Sequence, residues 1–224
     1  MIKKFFITGT DTNIGKTTVS SILLKKATES GYKTAGYKPV SSGYQDRPCC
    51  FFKNDAVILG KNSAVKLKNN EINPISFIEN APPHILSQLQ KKNIKKEDLS
   101  LGLKKIITQS NWIIIEGAGG WYTPLSYQDT FSDWVKHEKL TVIIVVGIKI
   151  GCINHAILTE KAIISEKIKC GGWIANNIHP KDMYNPYYIQ TLLSYIKAPL
   201  LGIIPYLIDT NNIKFNQINI TLPS

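Results

Sequence analysis

Residues 9–18 read Gly9-Thr10-Asp11-Thr12-Asn13-Ile14-Gly15-Lys16-Thr17-Thr18, between the apolar strand Phe5-Phe6-Ile7 and the helical run Val19–Ala27. A strand, a Gly-rich turn, Gly-Lys-Thr and a helix hold a nucleoside triphosphate, because turn N–H groups and the positive helix end face the phosphates. Lys16 is then placed to reach the terminal phosphates, and the Thr17 hydroxyl to ligate Mg²⁺. The spacing departs from the standard motif, since five residues rather than four separate Gly9 from Gly15. A helix start with a tolerated Gly accounts for Thr17 or Thr18, but not for Gly15 and Lys16 together.

Outward from that loop the chain alternates strand and helix. Strand runs are expected at Lys4–Thr8, Thr34–Val40, Trp112–Glu116, Thr141–Val146, Gly172–Asn176 and Leu200–Ile204. Several, such as Val142-Ile143-Ile144-Val145-Val146, are continuously apolar, as parallel strands buried on both faces are. Helices are expected at Lys16–Ser30, about Asp55–Lys66, Leu103–Ser110, Ser132–Glu138, Asn154–Lys167 and Tyr188–Ile196. The pattern predicts a doubly wound, mostly parallel α/β sheet of the P-loop NTPase kind, as a single domain over residues 1–224.

Composition narrows the functional classes. The net charge is +11, but Arg47 is the only arginine, so the positive charge is lysine. Base readers and phosphate clamps favour the bidentate fork of Arg, and scattered lysines such as Lys91-Lys92 and Lys95-Lys96 read as solvated helix faces. No nucleic-acid partner is expected. No run of about 18 apolar residues predicts a membrane span, and Met1-Ile2-Lys3-Lys4 runs into a strand without a signal-peptide pattern. Cys49, Cys50, Cys152 and Cys170 lack metal or disulfide spacing, and Thr141 stands where H-E-x-x-H, begun at His137-Glu138, needs its second His. A reduced, cytoplasmic protein is the expectation.

In doubly wound sheets ligands collect beyond the carboxyl ends of the strands. The second strand ends Gly36-Tyr37-Lys38-Pro39-Val40-Ser41-Ser42-Gly43, with a second lysine followed by hydroxyls. Taken alone, Lys38 reads more commonly as a surface lysine. The third ends Ile115-Glu116-Gly117-Ala118-Gly119-Gly120, where a P-loop enzyme keeps a metal-directed carboxylate. A carboxylate between Ile115 and Gly117 is poorly explained by solvation. Asp55 suits a helix-dipole partner. With Thr17 and Glu116 it also completes an oxygen set suited to Mg²⁺.

From Phe5 to about Leu207 the chain resembles the dethiobiotin synthetase family. The likeness rests on Thr8–Thr17, Ala35–Val40, Glu116-Gly117-Ala118-Gly119-Gly120-Trp121, and Val145-Val146-Gly147 leading to Gly151-Cys152-Ile153-Asn154-His155-Ala156. The resemblance implies closure of a ureido ring on 7,8-diaminononanoate with CO₂ (or bicarbonate) and ATP, with Mg²⁺ as cofactor. A carbamate on one amine attacks the γ-phosphate, and the second amine attacks the resulting carbamic–phosphoric anhydride. By that resemblance Lys16 and Lys38 are catalytic, and Thr17, Asp55 and Glu116 hold the metal. Asn13, Ile14, Gly15, Lys16, Thr17, Thr18, Asp55, Glu116, Gly117, Ala118 and Gly119 bind nucleotide. Asn176, Asn177, Pro205, Tyr206, Leu207 and Asn212 surround the base. Thr12 and Ser42 meet the carbamate. Gly151, Cys152, Ile153 and Asn154, a helix start, hold the substrate carboxylate for a neighbouring subunit with Tyr188, which implies a homodimer with shared sites. Without the resemblance Tyr188 reads as packing.

Three positions depart from the family pattern: Asn13 where Glu is common, and Asn177 and Asn212 where acids are usual. Two related classes fit less well. Partition and septum-site ATPases carry an early lysine in the loop where this chain has Gly9-Thr10, and the amidoligases of cobalamin synthesis add a glutaminase domain for which no residues remain.

Overall fold

The computed structural model describes residues 2–43, 55–180, 182–209, 213 and 215–224. Six strands form one sheet in the order β2-β5-β1-β6-β7-β8, and every strand pairing in it is parallel. They are β1 (Lys3–Gly9), β2 (Thr34–Tyr37), β5 (Trp112–Gly120), β6 (Thr141–Ile148), β7 (Cys170–Asn177) and β8 (Leu200–Ile204). The expected sheet is therefore present. The chain leaves β1 for the edge at β2, returns through β5, and then builds outward on the other side of β1. That reversal opens the crevice at the carboxyl end of β1.

Continuous apolar runs make sense because the sheet is buried on both faces. Phe6, Ile113, Ile115, Val142, Ile144 and Val146 face one core cluster, while Phe5, Ile7, Trp112, Ile114, Ile143 and Val145 face the other. Helices α5 (Lys96–Ile107), α6 (Phe131–His137), α7 (Cys152–Ser165) and α8 (Asn185–Tyr195) cover the first cluster; α1 (Lys16–Glu29) and α2 (Asp55–Asn62) cover the second. Helix α1 stops because Gly31, at φ 87°, turns left-handed, its N–H reaching Thr28 and that of Tyr32 reaching Ala27. Lysines hold the same left-handed position after other helices, Lys139 after α6 and Lys167 after α7. There they oppose the negative helix end, a structural use for part of the positive charge.

Several expected boundaries move. The second strand stops at Tyr37, not Val40, because Pro39 has no N–H to continue the ladder. Val40–Ser41 (β3) pairs instead with Ile75–Ser76 (β4) in a separate two-stranded sheet. The third strand runs on to Gly120, α2 ends at Asn62, α5 begins at Lys96 and α7 at Cys152. Between α2 and α5 lie the unexpected α3 (Asn69–Ile72), β4 and α4 (Pro83–Leu89). Lys91 and Lys92 follow α4 in a turn, not on a helix face.

Candidate active site

The phosphate loop leaves β1 and bends back under α1. Thr10 donates its N–H to the Val145 carbonyl at 3.1 Å, which ties the loop to β6. Asn13 takes φ 57° and Gly15 φ 84°. Asparagine is among the residues that best tolerate that left-handed region, a backbone reason for Asn13 to stand there. Gly15 has no alternative, since a Cβ would come 2.2 Å from Asn176 Nδ2. That same amide nitrogen donates to the Ile14 carbonyl at 2.7 Å. Asn176, expected beside the base, thus spends its amide nitrogen on buttressing the loop.

Below the loop two lysines and two carboxylates meet. Lys38 is 4% exposed and Glu116 1%. The ammonium of Lys38 lies 2.6 Å from Glu116 Oε1 and 2.8 Å from Asp55 Oδ2, and donates to the Gly117 carbonyl at 3.2 Å. The surface reading of Lys38 is therefore wrong; it is the buried counter-ion of both acids. Burial disfavours its charge, but the two carboxylates outweigh burial and hold the ammonium above its ordinary range. Burial raises the Asp55 carboxyl, and Lys38 with the Thr17 hydroxyl brings it below its ordinary value. Lys16, whose ammonium donates to the Asp11 carbonyl at 3.0 Å, is pushed down to about 8 by burial and by the charge of Lys38.

The Thr17 hydroxyl lies 2.9 Å from Asp55 Oδ1 and 2.8 Å from Glu116 Oε1. One hydroxyl proton cannot fully serve two carboxylates. Glu116 Oε2 is buried with no hydrogen-bond partner among the described residues. An orphaned carboxylate oxygen, beside a hydroxyl and a second carboxylate, fits a hard divalent cation such as Mg²⁺. Among the described residues no three His, Cys, Asp or Glu side chains could hold a metal. Such an ion would draw the rest of its shell from Thr17 and from phosphate or water oxygens, as Mg²⁺ sites commonly do.

These groups open into a cleft of about 440 Å³ lined by Thr12 through Thr18, Lys38, Ser41, Ser42, Asp55, Ile58, Asn80, Glu116, Ala118 and Gly119. Most of the expected nucleotide and carbamate residues are thus together. Ser41, one of the hydroxyls expected after Lys38, joins them, while Ile58 and Asn80 were missed. So was Asn73, whose amide donates to the Lys38 carbonyl at 2.6 Å while its oxygen accepts from Ser41 Oγ at 2.7 Å. Asn73 and Asn80 come from the segment whose short elements carry no clear periodicity, so nothing local marked them. Gly117 lies in the interior of β5, where a Cβ would come 2.6 Å from Phe6 Cζ; its carbonyl, not an open backbone, serves Lys38.

The remaining expected residues lie outside the cleft lining. Asn177 donates from Nδ2 to the Ile204 carbonyl and accepts from Asn185 at Oδ1, both at 2.8 Å. Beside it, past β8, Pro205 and Tyr206 are exposed and Leu207 half-buried. Asn212 falls outside the described residues. At the start of α7, Gly151 and Asn154 are exposed, but the Cys152 side chain is buried in the core and burial raises its thiol pKa. The Cys152 N–H is also taken, by the Lys149 carbonyl at 3.1 Å. Of the four expected carboxylate donors, that leaves the N–H groups of Gly151, Ile153 and Asn154 without a partner inside the helix. Tyr188 packs half-buried against the core, so the packing reading holds at least in part. Among the described residues, no helix is long and apolar enough to cross a membrane.

A family profile described as an AAA domain matches residues 3–214. The fold is similar to that of a chain of the MinC:MinD cell division protein complex of Aquifex aeolicus, with a TM-score of 0.58 at 16% identity over 94% of this chain and 85% of that one. A ParA family ATPase from Chlorobium tepidum gives 0.57 at 14%, over 98% and 91%. At such identities the likeness concerns the fold. Sequence relatives are far nearer. The ATP-dependent dethiobiotin synthetase BioD of Buchnera aphidicola (subsp. Acyrthosiphon pisum) is 70% identical over the full length of both chains. Those of Yersinia pestis and Escherichia coli K12 are 50% and 46% identical, each over 93% of this chain and over 87% and 93% of their own. With a likeness of that extent running through the phosphate loop and the buried lysine–carboxylate cluster, the chain belongs to the ATP-dependent dethiobiotin synthetase family.

Proposed function

We propose that this chain forms dethiobiotin from 7,8-diaminononanoate, CO₂ and ATP, in biotin biosynthesis. The observation that carries the reading is the convergence of Lys16, Lys38, Thr17, Asp55 and Glu116 at one cleft beneath a phosphate loop. Two anions, a substrate carbamate and the γ-phosphate, must meet there against their mutual repulsion. Preorganised cations lower that barrier most where water is excluded. Lys38 then stands between its carboxylates and the reacting groups, and Lys16 faces the terminal phosphates.

Thr17, Asp55 and Glu116 would hold Mg²⁺, whose chemistry is neutralisation of the phosphate oxygens. A carbamate oxygen attacks the γ-phosphorus and ADP leaves. The second amine then attacks the carbonyl, phosphate departs, and the ring closes. Thr12 and Ser42 hold the carbamate. Backbone N–H groups of Asn13 to Thr18, with those of Ala118 and Gly119, cradle the phosphates. Asn177, Pro205, Tyr206 and Leu207 flank the base. The substrate carboxylate sits at Ile153 and Asn154, beside Gly151, on a neighbouring subunit with its Tyr188. The protein is thus a homodimer with shared sites, one domain per chain, working in the cytoplasm.

Phosphate release from ATP that requires both diaminononanoate and bicarbonate tests the activity; release indifferent to either would overturn it. Mixing Lys38→Gln chains with Asn154→Asp chains, whose added negative charge opposes a carboxylate at the α7 start, tests the shared site. Partial recovery is expected, because each mixed dimer holds one site with neither lesion.

A further inference from the structure

Two ion pairs of equal length and similar exposure differ only in where they sit. Lys96–Asp129 measures 2.6 Å with side chains 30% and 31% exposed, and Lys149–Asp11 measures 2.6 Å at 32% and 39%. Isolated pairs of this exposure contribute little to stability. The position of the second gives it another use.

Asp11 is engaged through three atoms. Its carbonyl accepts from Lys16 Nζ at 3.0 Å, Oδ1 from the Thr12 N–H at 2.7 Å, and Oδ2 from Lys149 Nζ at 2.6 Å. Lys149 lies between β6 and α7, and its carbonyl takes the Cys152 N–H that closes the turn carrying Gly151. One pair, spanning 138 residues of sequence, therefore joins the residue that seats the Lys16 ammonium to the turn that opens α7.

We propose that Asp11 and Lys149 are positioning residues: within each chain their ion pair fixes the phosphate loop of one site relative to the α7 start that serves the other, so that across the dimer nucleotide and diamine are held in register in both sites. The inference rests on the reading above, in which the α7 start receives the substrate carboxylate. Since that carboxylate belongs to the neighbouring subunit's substrate, the pair ties the nucleotide half of one site to the carboxylate seat of the other. Beside the Thr10–Val145 backbone bond, this pair is a direct side-chain tie between the two loops.

Asp11→Asn separates positioning from simple attraction. Removing a negative charge beside the phosphates should tighten ATP binding if only the local field matters. A positioning pair predicts the reverse. Equilibrium dialysis with ATP and steady-state kinetics on the full-length protein are the measurements. Asp11→Asn and Lys149→Met should each weaken ATP binding and raise the KM for diaminononanoate about threefold to tenfold, more than they lower kcat. The double variant should be no worse than the poorer single one. Lys96→Met should change neither constant. Tighter ATP binding by Asp11→Asn, constants within twofold of wild type, additive single effects, or equal effects from Lys96→Met would each overturn the proposal. If the wild-type protein shows no diamine-dependent phosphate release, the functional reading fails; ATP dialysis then decides the pair alone, threefold weakening supporting it and unchanged affinity overturning it.

Discussion

The two helix starts that frame the site are built alike and finished differently. Both α1 and α7 begin after a left-handed glycine, Gly15 at φ 84° and Gly151 at φ 86°, with no side-chain cap and no acidic residue in the first turn. An uncapped start without acids leaves its N–H groups and positive end available to an anion. At α1 the chain completes the seat itself, with Asn176 against Gly15, Ile14 in the core and Lys16 in the first turn. At α7 a Cβ on Gly151 would meet only His155 Cε1, at 3.8 Å, and Ile150 before it is 86% exposed. The first start is closed by its own fold. The second is open to something outside the chain, which suits a seat shared with a neighbouring subunit.

The largest effect should come from the side chain that only α1 carries. Lys16→Gln is expected to slow ring closure about a hundred- to thousandfold, a barrier change of roughly 3–4 kcal/mol. Asn154→Asp at α7, which sets a negative charge against the substrate carboxylate, should leave kcat nearly intact and raise the diamine KM. Steady-state kinetics on both variants checks this, and equal losses in kcat would erase the distinction.

A methyl group at each glycine sharpens it. Gly15→Ala incurs a left-handed backbone cost of about 1–2 kcal/mol and a contact at 2.2 Å with Asn176. ATP affinity measured by calorimetry should fall at least tenfold, with part of the loss recovered by adding Asn176→Ala. Gly151→Ala incurs the backbone term alone. Its melting temperature should drop by roughly 2–8 °C while ATP affinity stays as in wild type. Loss of ATP binding there would show that the two starts are not independent seats.

The smallest expected effect is a proton. Burial and the neighbouring Lys38 charge bring Lys16 down to about 8, from 10.5 in the unfolded chain. Between those values the unfolded chain binds more protons, so stability of the free protein should rise with pH across that window. ATP, which favours charged Lys16, must then recruit a proton above pH 8, and its affinity should decline. Calorimetry at pH 8.5 in two buffers of different ionisation enthalpy measures the uptake; none would place Lys16 at its ordinary value.

Much of this was readable in advance. The expected bounds Leu200–Ile204 match β8, and the other sheet strands start or stop within a few residues of expectation, because a strand buried on both faces must be apolar throughout. The loop after β1 was legible because Gly-Lys-Thr is rarely placed there for packing. The region between α2 and α5 was not. A two-residue strand and helices of four and seven residues have too little length to show a period. They are held instead by contacts such as Asn73 with Lys38 and Ser41. At α7 the turn bond to Lys149 and the core contact of Cys152 are not properties of four residues read alone.

By itself the chain determines which segments enter the sheet and where an anion meets α1, since apolar continuity and backbone freedom at glycine act over a few neighbouring residues. Only the tertiary structure decides that Lys38 is buried between Asp55 and Glu116, that Asn176 props the phosphate loop, and that Asp11 finds Lys149. Those contacts join residues 17 to 162 positions apart. Their energies depend on separation in space and on exclusion of water, and neither exists until the sheet has assembled.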